Sequence, residues 1–121
     1  MNVFVRFEEE VVDKLVVGTL SAALISSLKR DGLLVSYEYT GYGYFLTVAH
    51  PLLPKARIVC TQPMVMGISG DIVASFVIFI ENHQLTFEGF PVDGTPLPQD
   101  FRQLEVQISE IDNKSEPARR E

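Results

Sequence analysis

Few residues in this chain are of types that do chemistry. His50 precedes Pro51, Cys60 stands between Val59 and Thr61, and His83 follows Asn82. None of these falls into a Cys-x-x-Cys, His-Glu-x-x-His or calcium-loop spacing, so no metal and no cofactor is expected. A serine triad would have to combine Ser69 or Ser75 with one histidine and an acid. However, Gly67-Ile68-Ser69-Gly70 is not the Gly-x-Ser-x-Gly elbow that exposes a nucleophile on a strand-to-helix turn. Gly41-x-Gly43 lacks the third glycine, helix and lysine of a phosphate cradle. Glu81 and Glu88 would share a face of one hairpin but lie well over about 10 Å apart at roughly 3.4 Å per residue, too far for a glycosidase pair. No catalytic residue is assigned.

Binding has more to draw on. All four tyrosines, Tyr37, Tyr39, Tyr42 and Tyr44, crowd one short stretch around two glycines, where they would offer rigid contact area with polar tips. Their plainer use is as half-buried strand residues, Tyr37 and Tyr39 on one face, with Tyr42 and Tyr44 covering the turn. The charge is distributed unevenly. The total is −6, yet residues 1 to 60 are balanced. Between residues 61 and 109 Arg102 alone stands against Asp71, Glu81, Glu88, Asp93, Asp100 and Glu105, a net of −5. Such a half can be a solvated face or a docking surface for a basic partner. With no basic stripe to displace counterions, nucleic acid is not expected as a partner.

Periodicity places these residues on elements. Val12, Leu15, Val16, Thr19, Leu20, Ala23, Leu24, Ser27 and Leu28 make one helical stripe. Three glutamates precede it, and Lys29, Arg30 and a left-handed Gly32 would close it. A single helix from about Glu9 to Arg30 is therefore predicted, weakest at Gly18, with a strand through Val11 to Val17 as its competitor. From Leu33 the period becomes two. Strands are predicted at 33–39 and 44–49 around Thr40-Gly41-Tyr42-Gly43, and at 57–62, with 64–69 a strand or a loop. The clearest unit is 72–90. An Asn82-His83 turn there pairs Ile80 with Leu85, Ile78 with Phe87 and Phe76 with Gly89 on a core face, leaving Glu81, Phe79, Val77, Gln84, Thr86 and Glu88 on the other. A stiff loop at 89–98 precedes a last, edge strand carrying Leu104, Val106 and Ile108.

The 121 residues, 46% of them hydrophobic, suit one domain with a real core. The expected fold is α+β: one long N-terminal helix packed on an antiparallel sheet of five to seven strands over residues 1–109, with 110–121 a frayed tail. An acidic start and a longest apolar window of nine residues, Ile72 to Ile80, argue against a secretory signal and a spanning helix. The single cysteine fits a cytoplasmic setting.

Phe79-Ile80-Glu81-Asn82-His83-Gln84-Leu85-Thr86-Phe87-Glu88 and Pro98-Gln99-Asp100-Phe101-Arg102 resemble small bacterial α+β domains, some assigned as immunity proteins of polymorphic toxin systems. The resemblance implies a cytoplasmic binder that occludes a toxin. The leading expectation is thus a non-enzymatic bacterial macromolecule-binding protein of the immunity type. Its partner would be a basic toxin domain, steered by Glu81, Glu88 and Asp93 and contacted by Tyr37, Tyr39, Tyr42 and Tyr44. One alternative is a small-molecule or enzymatic domain with a helix-sheet pocket lined by Tyr37, His50, Cys60 and Met66. Another is a self-associating domain that pairs edge strands across a two-fold axis to form a homodimer.

Overall fold

The computed structural model describes residues 3–111. Two helices, α1 (Arg6–Val16) and α2 (Ala22–Asp31), precede seven strands: β1 (Leu33–Tyr39), β2 (Tyr44–Ala49), β3 (Ile58–Cys60), β4 (Met64–Ser69), β5 (Ile72–Glu81), β6 (Gln84–Pro91) and β7 (Gln107–Ile111). The strands form one antiparallel sheet in the order β1-β2-β6-β5-β4-β7. β3 joins β5 on the side that β4 occupies, pairing Ile58 to Cys60 with Ile80 to Ile78, while β4 pairs with the other half of β5.

The α+β class and the antiparallel sheet agree with the sequence reading, but the single long helix does not form. The chain leaves helical geometry after Val16, whose carbonyl receives the N–H groups of both Thr19 and Leu20 at 2.9 Å. It re-enters at Ser21, whose Oγ accepts the Leu24 N–H at 3.1 Å. Physically, Gly18 and the β-branched Thr19 are poor helix formers side by side, and Ser21 satisfies an orphan donor as an N-cap. The break exposes Thr19 and Ala23, which the stripe had placed inside, and buries Leu20 and Ile25.

Gly32 closes α2 as expected but not in a left-handed conformation, since its φ is −60°. Glycine is needed there for space: a Cβ would meet the Leu28 carbonyl oxygen at 2.5 Å and Val48 Cγ1 at 2.6 Å. The β5–β6 hairpin has the expected register at every pair, turned by Asn82 (φ 56°) and His83 (φ 63°). The last strand runs later than predicted, and Glu110 and Ile111 pair with Val65 and Met64 in it. Residues 112–121 of the expected tail lie outside the described residues.

Alternation along the strands divides the sheet into two faces. Tyr44, Leu46, Val48, Val65, Ala74, Phe76, Ile78, Ile80, Leu85 and Phe87 point to one side and are buried with Phe7, Val11, Val12, Leu15 and Val16 of α1. Every residue in that group is nearly inaccessible, so the helix–sheet interface is closed. No layer formed by the described residues covers the opposite face. Among the described residues no helix is long and apolar enough to cross a membrane.

Candidate functional site

The residues most able to do chemistry are already satisfied by one another. Glu8, in the first turn of α1, is completely inaccessible. Its Oε1 accepts the Val5 N–H at 2.9 Å and Arg102 Nη2 at 2.9 Å, and its Oε2 accepts Arg102 Nε at 2.7 Å and the Tyr44 hydroxyl at 2.6 Å. Arg102 also donates to the Val3 carbonyl at 3.0 Å and lies 5.4 Å over the Tyr37 ring. The fork-to-fork geometry fills all the strong acceptor directions of the carboxylate, the condition under which a buried ion pair holds. Burial, followed by the charge of Glu8, drives the Tyr44 phenol far above its ordinary range. The hydrogen bond to Glu8 holds the Arg102 guanidinium more firmly charged. The cluster ties the N-terminal segment, α1, β2 and the turn at Phe101–Gln103 together. It has no vacant acceptor for a substrate proton.

The histidines are similarly engaged. Nδ1 of His50 accepts the Leu52 N–H at 3.1 Å, which places the ring proton on Nε2, 2.8 Å from Ser27 Oγ. In that tautomer the imidazole donates to the serine, whereas a serine nucleophile requires a histidine that accepts its proton. His83 Nδ1 lies 2.8 Å from the Leu53 carbonyl and donates to it. Ser75 donates to the Val65 carbonyl at 3.0 Å. Burial pushes the Cys60 thiol up, although a bond with Thr19 opposes the shift. Among the described residues no three His, Cys, Asp or Glu side chains gather to hold a metal ion.

Tyr37, His50, Cys60 and Met66 do not line one helix-sheet pocket. Tyr37 borders a cleft of about 380 Å³ with Arg102, and His50 one of about 350 Å³ with His83. Cys60 packs from β3 into the core, and Met66 lies on the uncovered face. The four tyrosines and three acids also fail to form one surface. Tyr44 is only 2% exposed, its ring covering Gly89, and cannot be contact area for a partner. Tyr37 and Tyr39 lean to the helix side, where the Tyr39 hydroxyl donates to the Leu97 carbonyl at 2.6 Å. Tyr42 remains exposed at the β1–β2 turn. Asp93 accepts the Thr95 N–H within its own loop at 3.0 Å. Glu81 and Glu88, by contrast, project from the opposite face of the sheet.

No family model, curated protein or solved structure matches this chain. The uncovered face must therefore be read from its own chemistry.

Pairing of β2 with β6 puts Glu38, Phe45, Glu88 and Val77 in one row across four strands, roughly 5 Å between neighbours. The next row holds Ser36, Thr47, Thr86, Phe79 and Val59, with Thr47 and Thr86 hydroxyls 3.1 Å apart. Phe90, Met66, Val73 and Ile68 continue the apolar area toward β4. Arg57, the one base on this face among the described residues, is 3.3 Å from Glu81 and lies 5.7 Å over the Phe79 ring. Glu88 has no hydrogen-bond or ion-pair partner among the described residues, and partial burial beside Phe45, Val77 and Phe90 pushes its carboxyl up. Alternating residues predicted this face's membership on β5 and β6. They could not predict that β2 would bring Phe45 and Glu38 beside Glu88, because that pairing joins segments some forty residues apart.

Proposed function

We propose that this chain is a non-enzymatic binding protein that docks a basic protein partner on the uncovered face of its sheet. The observation that carries the reading is Glu88: a carboxylate without a partner among the described residues, partly desolvated among Phe45, Val77 and Phe90. Holding a charge there costs the free protein stability, and a partner's lysine or arginine would offset that cost by pairing with it. The stem of such a side chain would pack on the flanking rings. Six strands at about 4.8 Å spacing give a face roughly 24 Å across, the scale of a standard protein interface. Glu38, Glu81 and Glu88 outnumber Arg57, so a second copy of this face would be repelled whereas a basic surface would be attracted.

The immunity-type form of this proposal, a cytoplasmic bacterial inhibitor that occludes a basic toxin domain, rests on the resemblance of residues 79–102. In it, Glu81 and Glu88 keep the steering role expected of them, while contact area comes from Phe45, Phe79 and Phe90 in place of the tyrosines. A photo-crosslinking residue at Thr47, on the uncovered face, tests the reading in the source cells against the same residue at Ser26, on the exposed side of α2. A basic protein captured from position 47, absent from position 26 and lost with Glu88→Lys, is the expected result. Equal capture from both positions, or capture indifferent to Glu88→Lys, would overturn it.

A further inference from the structure

Two phenylalanine–glutamate pairs lie on the uncovered face, and the chain itself supplies a base to one of them. On β5, Phe79 and Glu81 are two residues apart and project to the same side. Arg57 lies 5.7 Å over the Phe79 ring while its Nη1 donates to Glu81 Oε1 at 3.3 Å. On β6, Glu88 and Phe90 have the same spacing and project to the same side. The ladder sets Phe90 beside Ser75, Glu88 beside Val77, Phe79 beside Thr86 and Glu81 beside Gln84. In both pairs the acid is therefore the member nearer the Asn82-His83 turn. One pair carries onto the other by a step of one strand and four residues, about 14 Å along the sheet. Glu88 has no base among the described residues, and Phe45 flanks it from β2.

The contacts inside the chain indicate which base such a pair takes. Arg102 lies 5.4 Å over the Tyr37 ring and forks onto Glu8, through Nε at 2.7 Å and Nη2 at 2.9 Å. Among the described residues, both cations that lie over a ring are thus arginines that also hold a carboxylate. The lysine bridges, Lys29 to Asp13 at 2.6 Å and Lys14 to Glu110 at 3.5 Å, include no ring. The physical reason is the shape and hydration of the two cations. A guanidinium is planar and weakly hydrated, so one face can rest on a ring while its edge donates to an acid, whereas an ammonium holds its water. We propose that Glu88 and Phe90 accept an arginine side chain of the partner, stacked on Phe90 and bonded to Glu88 as Arg57 is to Phe79 and Glu81. The inference rests on docking at this face and names the side chain that docks. A lysine in its place would keep the charge and lose the stacking.

N-acetylarginine amide and N-acetyllysine amide, each with a single positive charge, are the probes. NMR titrations of the full chain run to about 100 mM at fixed ionic strength, so that screening stays constant. The arginine probe is expected to shift the Glu88 carboxyl and Phe90 ring signals and to bind about threefold more tightly than the lysine probe. Phe90→Leu brings the two probes level, and Glu88→Gln abolishes both responses. Arg57→Ala frees the other pair, so the arginine probe then shifts Phe79 and Glu81 as well. The comparison of the two probes on the unaltered chain needs no variant to fold. Silence of both probes, equal binding of the two, an arginine preference that survives Phe90→Leu, or a Phe79 signal unmoved in Arg57→Ala would each overturn the inference. None of these outcomes bears on capture at Thr47, so the two readings fail separately.

Discussion

The two faces of this sheet treat their carboxylates in opposite ways. On the helix side Glu8 is fully buried and surrounded by four donors, from Val5, Tyr44 and twice from Arg102. On the uncovered side Glu88 is half-buried and has no donor among the described residues. The first arrangement serves the fold, because every lone pair that burial strips of water is given a protein partner. The second is costly to the fold and leaves a charge ready for something from outside. If the uncovered face docks a partner as proposed, stability and recognition are divided between the faces of a single layer, and substitutions on the two faces should separate in sign.

The largest effect belongs to the covered side. Arg102→Ala leaves Glu8 buried without its main counter-charge and is expected to cost about 3–5 kcal/mol in urea unfolding. Gly32→Ala forces a methyl against the Leu28 carbonyl and Val48 and should cost roughly 1–3 kcal/mol by the same measurement, with no change in partner capture. Tyr44→Phe removes one charge-assisted bond but leaves three others on Glu8, so a loss of about 1.5 kcal/mol is expected from thermal melts. A neutral outcome for Arg102→Ala would mean that the covered cluster is not what holds the N-terminal segment to the sheet.

These differences also explain which parts of the molecule were legible in the sequence. The β5–β6 register could be read pair by pair because a two-residue turn tolerant of positive φ at Asn82-His83 fixes it, and the alternation of Gln84, Thr86 and Glu88 with Leu85 and Phe87 says which face is buried. The break between α1 and α2 was hidden, since Val12 through Leu28 keep a helical period on both sides of Gly18 and only Ser21's capping bond marks the restart. The Glu8 cluster was invisible: its members lie 36 and 94 residues from Glu8, and a glutamate in a run of three looks solvated. Tyr44 was misjudged for the same reason, its hydroxyl having a buried acceptor that only the tertiary fold supplies. The acids of the uncovered face could be named, but not the company they keep, because Glu88 acquires Phe45 through a pairing between two separate hairpins.

The smallest effect is the most telling. Burial raises the folded pKa of Glu88 above its unfolded value, so the fold favours the protonated carboxyl. That contribution is fully present below an unfolded pKa of about 4.3 and is lost as pH rises through the raised folded value. Glu88→Gln removes the dependence without changing the shape of the side chain. Thermal melts of the two proteins from pH 3 to pH 8 test the division of labour directly. The glutamine variant should melt at the same temperature as the unaltered chain at pH 3 and about one degree higher at neutral pH, the size expected for a few tenths of a kcal/mol at a half-exposed site. A glutamine variant that melts lower at neutral pH would show that Glu88 stabilises the fold, and would contradict the claim that this face gives up stability in order to bind.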